Sequence, residues 1–234
     1  MMELSKRLQA VADMVTPGMR LADIGTDHAY IPIYLTEQNV ISEAIAMDIN
    51  RGPLERAEEH IREYGFENRI QTRLSDGLKK LEIGEADAMI AAGMGGALVI
   101  KILEDRKEVA KSLKELILQP QSELGKVRAY LLENGYQVIS ENMILEDGKY
   151  YPMMKVIPCQ NLEETYRPEE LEYGKWLLHN ANPVLREFLE REIQINEGIV
   201  ESLNAQQTER AKSRQDEILQ KNEEIRQVLE KYFK

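Results

Sequence analysis

The sequence is poor in cysteine, with Cys159 as the single one among 234 residues. One cysteine excludes an intrachain disulfide framework and a cysteine-based metal site. The sequence also has no uncharged apolar run of membrane-spanning length, and its start, MMELSKRLQAVADMV, has the pattern of an amphipathic helix, not of a signal peptide. We therefore expect a cytoplasmic protein with no membrane association and no bound metal.

An excess of basic residues is lacking as well. The chain has 30 lysines and arginines against 41 acidic residues, which gives a formal net charge of −11. Such a chain exerts no long-range attraction on nucleic acid. A local basic face is still possible near the start and after the second predicted strand, and its candidate members are Lys6, Arg7, Arg20, Arg51 and Arg56. Solvated surface charge is the alternative interpretation of these residues.

What the sequence does contain is an alternation of strand and helix patterns. Apolar residues spaced three or four apart from Leu4 to Val15 predict an N-terminal helix. Five strand-like runs separated by helical patterns follow, namely RLADI (20–24), AIAMDI (44–49), IQTRLSD (70–76), ADAMIAAG (86–93) and ELILQP (115–120). This order is typical of an α/β fold with a parallel sheet and helices on both faces. Asp147-Gly148 joins two further strand-like runs, which we expect as an antiparallel hairpin at the sheet edge.

The last third of the chain has no strand pattern. Helix formers dominate after residue 163, with breaks at Pro168, at NANP (180–183) and, weakly, at Gln206-Gln207. Apolar residues recur at helical spacing on both sides of the last break, which predicts an antiparallel, coiled-coil-like helical hairpin. This hairpin can pack on itself, on the preceding domain or on a second copy of the chain, so one expectation is a homodimer through the C-terminal helices. We predict two domains, 1–160 and 161–234.

Ligands of open α/β sheets bind beyond the carboxyl ends of the strands. Four of the predicted strand ends carry acids or glycines, and these ends are Asp23-Ile24-Gly25, Asp48, Ser75-Asp76-Gly77 and Gly93-Met94-Gly95-Gly96. Gly25 lets the backbone pass close to a ligand, and Asp48 has the spacing of an acid that binds ribose hydroxyls. Asp76 can accept a hydrogen bond from an adenine amino group, and Gly77 leaves room beside the ring. The glycines at 93, 95 and 96 keep side chains out of the space where substrate and cofactor would meet. A simple turn or a helix cap would account for each of these residues taken alone.

The single glycine of the first turn indicates which cofactor binds. Dinucleotide-binding turns have three glycines because a pyrophosphate lies against the helix N-terminus. Here Asp27 and Tyr30 stand at the second and third glycine positions, and a carboxylate there would repel a pyrophosphate. S-adenosylmethionine carries a sulfonium cation and an ammonium group, which favour nearby acids. Asp23 and Asp27 therefore favour a methyl donor over NAD.

Several motifs together resemble those of the bacterial TrmK family, and they are LSKRL (4–8), DIGTDHAYIP (23–32), AMDINRGPLERA (46–57), SDGL (75–78), AGMGG (92–96) and LILQPQ (116–121). The resemblance implies a Rossmann-like class I methyltransferase fold, S-adenosyl-L-methionine as donor, and methylation of N1 of the adenine at position 22 of tRNA. It places cofactor binding at Asp23, Gly25, Asp48, Asp76, Gly77 and Gly93, to which we add the neighbours Thr26, Ile49 and Met94. The chain has Gln121 where family members often have asparagine.

Asp27 is the candidate catalytic residue. Adenine N1 has a lone pair at neutral pH, so methylation mainly requires alignment. A nearby carboxylate can stabilise the charge of the product or accept a hydrogen bond from the exocyclic amine. The alternatives are that Asp27 caps the next helix or binds the ammonium group of the donor. His28 is the second catalytic candidate, against the alternative of a packed histidine, and His60 and His179 receive no role.

The substrate side is less specific. Because N1 lies on the Watson–Crick edge, the target base must be unpaired or flipped. Candidate stacking residues are Tyr30, Tyr150 and Tyr151, and candidate phosphate contacts are Arg7 and Lys6. Two other functions fit the same residues. One is methylation of a small molecule with the helical tail as a lid, and the other is a non-catalytic scaffold that recruits a partner through the helices.

Overall fold

The structure is a computed structural model that describes residues 2–160, 163–204 and 208–234, in which seven strands form one sheet flanked by ten helices. The strands are β1 (Leu21–Ile24), β2 (Ala44–Asp48), β3 (Ile70–Leu74), β4 (Ala88–Met94), β5 (Glu115–Pro120), β6 (Tyr136–Glu146) and β7 (Lys149–Pro158). The helices are α1 (Lys6–Ala12), α2 (Tyr30–Glu37), α3 (Arg51–Glu63), α4 (Gly96–Asp105), α5 (Lys107–Ser112), α6 (Leu124–Glu133), α7 (Pro168–Tyr173), α8 (Lys175–His179), α9 (Pro183–Asn204) and α10 (Glu209–Tyr232). None of the described helices is long and apolar enough to cross a membrane.

The sheet has the predicted mixed topology. Its strand order is β3-β2-β1-β4-β5-β7-β6, with β1 to β5 parallel and β7 antiparallel to both of its neighbours. The chain proceeds outward from β1 in one direction and from β4 in the other. The crevice between the carboxyl ends of β1 and β4 is therefore the topological switch point, where ligands of such sheets bind.

Burial on both faces explains why the central strands are apolar throughout. All four residues of β1 are buried. Ala22 and Ile24 pack in the apolar cluster on the side of α4 and α6, whereas Leu21 packs in the cluster on the side of α1, α2 and α3. The edge hairpin turns at Asp147 (φ 49°) and Gly148 (φ 73°), the left-handed pair that a tight two-residue turn requires.

Helix α5 has no counterpart in the sequence prediction. It is six residues long and buries only Val109 and Ala110. Such a segment is too short to show a helical period, so the pattern of the sequence cannot indicate it.

Helices α9 and α10 run antiparallel and pack on each other, and α9 also packs on the edge hairpin. Asn196 Nδ2 donates to Asn222 Oδ1 across the pair at 2.8 Å. The Tyr150 hydroxyl donates to Glu187 of α9 at 3.0 Å, and Arg191 donates to the carbonyl of Gly148 at 3.0 Å. The predicted break at Gln206-Gln207 and the first residue of the predicted second domain lie outside the described residues.

A buried ion pair connects the helical region to the sheet. Arg128 of α6 donates to Glu141 of β6 at 2.8 Å, and both side chains are fully buried. The same guanidinium donates to the carbonyls of Leu171 and Glu172, at 2.7 and 3.0 Å. The other Glu141 oxygen accepts from the backbone of Trp176 at 2.9 Å. One charge pair thus holds α7 and α8 against the hairpin.

Candidate active site

The turn after β1 is held in a tight left-handed conformation. Gly25 has φ 73°, and the carbonyl of Met47 in β2 accepts from the amides of Gly25 and Thr26 at 2.8 and 2.9 Å. His28 and Ala29 also have positive φ, which is costly for residues with a Cβ and typical of functional turns. Ala29 is the N-cap of α2 and makes no side-chain cap bond. The alternative that Asp27 caps this helix is therefore wrong.

Asp27 projects outward from this turn, with a side chain that is 69% exposed. Its Oδ1 lies 3.3 Å from Nη2 of Arg56 and 3.4 Å from Nε2 of His28. Arg56 Nε also donates to His28 Nε2 at 3.1 Å. Because an arginine can only donate, a neutral His28 carries its proton on Nδ1. Arg56 thus contacts both predicted catalytic residues, although the sequence indicated it only as a member of a basic face.

His28 is packed among aromatic rings. Its ring stacks on Tyr30 at 5.0 Å and on His60 at 4.9 Å between centroids, and His60 Nδ1 lies 3.2 Å from the His28 carbonyl oxygen. Tyr30 is therefore stacked within the protein instead of free to receive a base. His60, which received no role, lies beside the predicted site. Its spacing of four residues from Arg56 on α3 is the signal that placed both on one helix face.

Three predicted residues near β1 and β2 have the properties of a cation and adenosine site. Asp23 is 7% exposed, and burial, with the nearby Asp48 carboxylate, raises the pKa of Asp23 to about 6. Thr26 is buried, and its hydroxyl interacts with the Asp23 carboxylate, which partly opposes the rise in that pKa. Ile49 is 60% exposed at the carboxyl end of β2. A buried carboxylate with a hydroxyl beside it and an exposed apolar side chain fit a cationic, partly apolar ligand such as the predicted methyl donor.

Asp48 and Asp76 already have partners in the protein. Asp48 Oδ1 accepts from the amide of Asn50 at 2.7 Å, which leaves its other oxygen for a ligand. Asp76 Oδ2 lies 2.5 Å from Nζ of Lys79. Gly77 has φ 57°, and a Cβ there would lie 2.9 Å from Ile102. The space left by Gly77 is thus filled by a core side chain and is not the expected room beside an adenine ring.

The glycines after β4 also differ in what they do. A Cβ on Gly96 would collide with the carbonyl of Ser122 and lie 2.9 Å from Val127, so this glycine permits close packing of α4 on α6. Met94 places its methyl group over Gly25, at the predicted donor turn. Gly93 has φ 78° and faces the side chains of Arg7 and Gln121. Of the glycines at 93, 95 and 96, Gly93 fits the expected open position best.

A polar cluster that sequence reasoning missed lies next to Gly93. The fully buried Gln119 of β5 accepts from the Gly93 amide and from Arg7 Nη1, both at 3.1 Å. The Arg7 guanidinium lies over the ring of Tyr151, 5.6 Å from its centroid. Tyr151 and Tyr150 point to opposite faces of β7, and Tyr150 instead packs on Phe188. Only the resemblance of LILQPQ indicated that Gln119 mattered.

The five basic residues suggested by the sequence do not form one face. Arg20 precedes the amino end of β1 and forms an ion pair with Asp87 at 2.8 Å. Arg56 contacts Asp27, across the crevice from Arg7 at β5. Lys6 is exposed, and its backbone amide donates to Glu146 at 2.6 Å. The crevice therefore has acids over β1 and β2, and hydrogen-bond donors over β4 and β5.

Comparison with known proteins identifies similar chains. Residues 4–154 match the methyltransferase domain family. A Bacillus subtilis protein named tRNA (adenine(22)-N(1))-methyltransferase is 35% identical over 98% of both chains. A Streptococcus pneumoniae protein solved with S-adenosyl-L-methionine superposes with a TM-score of 0.85 and 31% identity, over 97% of this chain and 100% of that one. Mycoplasma capricolum TrmK, solved with S-adenosyl-homocysteine, has a TM-score of 0.82 and 29% identity, over 98% and 99% of the two chains.

Proposed function

This chain belongs to the TrmK family of bacterial tRNA (adenine(22)-N(1))-methyltransferases, and we propose that it methylates N1 of adenine 22 in tRNA with S-adenosyl-L-methionine as the donor. The observation that carries the proposal is the turn from Asp23 to Asp27, which places the Asp27 carboxylate where a phosphate-binding turn would have its second glycine. The relatives' names and ligands support tRNA methylation over the small-molecule and scaffold alternatives. A tRNA substrate in turn supports a cytoplasmic location.

The donor half of the crevice is proposed to lie over β1 and β2. S-adenosyl-L-methionine supplies an electrophilic methyl group when bound. The buried Asp23 carboxylate would face its positive charge, the free oxygen of Asp48 its ribose, and Ile49 its adenine ring. Gly25 lets the backbone approach closely. The remaining proposed cofactor-binding residues are Thr26, Asp76, Gly77, Gly93 and Met94.

Asp27 is proposed to act on the target base. Its exposed carboxylate is oriented by Arg56, which also donates to His28, and it can accept a hydrogen bond from the exocyclic amine of adenine. The same charge would stabilise the positive charge that N1 methylation leaves on the base. His28 would act by orienting Asp27 through Arg56, because its Nε2 accepts from Arg56 Nε and its ring packs against the rings of Tyr30 and His60.

The test is a methyl transfer assay with labelled donor and two tRNA transcripts, one with adenine and one with guanine at position 22. We expect label only in the adenine transcript, mapped to that nucleotide as 1-methyladenine. Label in a small product from a metabolite extract would support the first alternative, and no transfer to any acceptor would support the scaffold.

The same assay tests Asp27. We expect Asp27→Asn to lower kcat by about 100-fold or more, within the range of a general electrostatic contribution. The donor Kd, measured by calorimetry, should change less than about threefold, since Asp27 is assigned to the base. A parallel loss of donor affinity would instead assign Asp27 to the donor's ammonium group.

The helical region is proposed to be a second structural unit, covering 161–234, and the site of homodimer formation. The apolar side chains Ile195 and Ile199 are more than two-fifths exposed and lie one turn apart on α9. A second copy of the chain that covers this stripe would remove apolar surface from water.

A further inference from the structure

Arg7 has the geometry of a prearranged anion-binding group. Its guanidinium is fixed from two sides, by the bond to Gln119 and by the ring of Tyr151. Its helix is fixed too, because the amides of Lys6 and Arg7 both donate to the Glu146 carboxylate at the end of β6. An arginine that is ordered before binding loses little side-chain entropy when a ligand arrives.

The guanidinium is also available for a ligand. In the part of the chain that the structure describes, Arg7 forms no ion pair, and one of its five N–H groups has a protein acceptor. By contrast, Arg20, Arg56 and Arg128 each contact a carboxylate within 3.3 Å. A half-buried arginine with no carboxylate is notable in a chain of net charge −11.

The surroundings specify an acceptor-rich, anionic ligand. A Cβ on Gly93 would lie 3.6 Å from Arg7 Nη1 and 3.8 Å from Gln121 Nε2, so two donor groups border the open face of this glycine. The buried Gln119 amide nitrogen adds a donor without a partner. Gly93 lies near the carboxyl end of β4, and the neighbouring strand β1 leads into the acid-lined half of the crevice. A nucleotide whose base reaches the methyl-donor half of the crevice, over β1 and β2, would therefore place its phosphate among these N–H groups.

We propose that Arg7 binds a backbone phosphate of the tRNA strand that carries the target adenine, an inference that rests on the proposed function. Gln119 is a positioning residue in this subsite. Its Oε1 accepts from Arg7 and from the Gly93 amide, so it ties the guanidinium to the floor of the crevice at the end of β4. The planar fork of Arg7 can then contact two phosphate oxygens at once.

The experiment compares Arg7→Gln with Arg62→Gln, which removes the same charge from an exposed arginine at the far end of α3. Glutamine at position 7 keeps an N–H donor that can serve Gln119. We expect Arg7→Gln to raise the KM for tRNA by about 10- to 100-fold, as for loss of a hydrogen bond to a charged group. The donor Kd should stay within twofold of wild type. Arg62→Gln should leave both values within twofold.

Salt dependence separates phosphate binding from a structural role. Loss of one phosphate contact should reduce the slope of log Kd for labelled tRNA against log salt concentration by about 0.7 to 0.9. Arg7→Lys, which keeps the charge without the fork, should restore the wild-type slope. An unchanged slope in Arg7→Gln, or an Arg7→Lys slope equal to that of Arg7→Gln, would overturn the proposal even if either variant is destabilised.

Equilibrium binding of tRNA can be measured without methyl transfer. The proposed methylation of adenine 22 and the proposed phosphate contact of Arg7 can therefore be refuted independently. Wild-type methylation of adenine 22 with an Arg7-independent salt slope would refute the phosphate subsite alone. Absence of wild-type methylation with an Arg7-dependent slope would refute the activity and leave the subsite.

Discussion

At the scale of single residues, the site combines groups that the fold stabilises with groups that it strains. Asp23 is a carboxylate buried at the end of β1, and its raised pKa shows that the fold disfavours its charge. His28 and Ala29 hold left-handed conformations that cost energy. Both costs are understandable if a cationic ligand approaches this turn, because a cation would stabilise the Asp23 carboxylate.

Asp23→Asn should stabilise the free protein at neutral pH. The folded pKa of about 6 lies above the usual aspartate pKa of 3.8, so the favourable contribution of protonated Asp23 is present below pH 3.8 and is lost as pH rises through 6. Removing the ionisable group should raise the free energy of unfolding by about 2 to 3 kcal/mol at pH 7.5. Urea titrations at pH 7.5 and 4 should show this gain disappearing at the lower pH, while donor affinity falls at least about tenfold at neutral pH.

The control for Asp23 is Asp147→Asn in the exposed hairpin turn, which should change stability little at either pH. An Asp23→Asn protein that is less stable than wild type at pH 7.5 would contradict the assignment of the buried charge as unfavourable.

Gly25→Ala should weaken donor binding beyond its effect on folding. Alanine at φ 73° costs about 1 to 2 kcal/mol, and its Cβ would meet the flexible end of Met94. Gly18→Ala is the matched control, since Gly18 has φ 86° and no atom within 4 Å of a Cβ. We expect similar losses in urea unfolding but a donor Kd raised at least about tenfold only in Gly25→Ala. Equal donor affinities would place the donor away from this turn.

At the scale of elements, the edge hairpin β6–β7 is the element on which the others converge. It binds the N-terminus of α1 through Glu146, the α9 helix through Tyr150, and α6 through Glu141. Arg7 and Tyr151 therefore meet because α1 and β7 are both attached to this hairpin. The position of the proposed phosphate subsite thus depends on the edge of the sheet.

Arg128→Met should destabilise the protein strongly. Removing one partner of a fully buried pair leaves Glu141 charged and unpaired, which costs about 3 to 5 kcal/mol. The double variant Arg128→Met with Glu141→Met should recover much of that loss. Urea unfolding followed by the fluorescence of Trp176, whose indole donates to the Val138 carbonyl at 2.8 Å, reports on the same junction.

The exposed pair Arg186 and Glu190 on α9 supplies the control for Arg128. Arg186→Met should cost no more than about 0.5 kcal/mol, as expected for an exposed helical pair. A comparable effect of the two substitutions would mean that the buried pair does not hold the helices on the sheet.

At the scale of the whole molecule, the crevice has an electrostatic division that the net charge conceals. The acids over β1 and β2 suit a cationic methyl donor. The hydrogen-bond donors over β4 and β5 suit a polyanion such as tRNA. Helix α9 packs on the edge hairpin, which lies beside β5. The helical region therefore lies on the same side of the sheet as the hydrogen-bond donors over β4 and β5. A second copy joined through α9 would therefore lie near the substrate side.

Ile195→Glu with Ile199→Glu should separate a dimer into monomers. We expect wild-type chain to sediment at twice the mass of one chain at micromolar concentration, because pairing would bury the exposed stripe on α9. Ile83→Glu, at a position 62% exposed outside α9, is the control and should leave the dimer intact. Sedimentation of the wild type as a monomer at all concentrations would contradict the proposed dimer.

Local chemistry was enough to predict much of this protein. Hydrophobic periodicity specified the five parallel strands, and Asp147-Gly148 specified the hairpin, because both signals depend on neighbours in the chain. Strand ends also indicated where Asp23 and Asp48 come close together, because parallel strands bring their carboxyl ends to one edge.

Only the tertiary structure decided which side chains meet across elements. Arg7 and Gln119 are 112 residues apart, and their bond depends on how α1 crosses the sheet. His60 reaches His28 because α3 packs beside the start of α2, and Ile102 fills the space at Gly77 because α4 packs over it. Side-chain periodicity indicates which face of an element is buried and not which residue covers it. The sequence therefore indicated the methyl-donor turn and Arg7 as a candidate phosphate contact, but not the bond to Gln119 and the ring of Tyr151 that hold Arg7 in place.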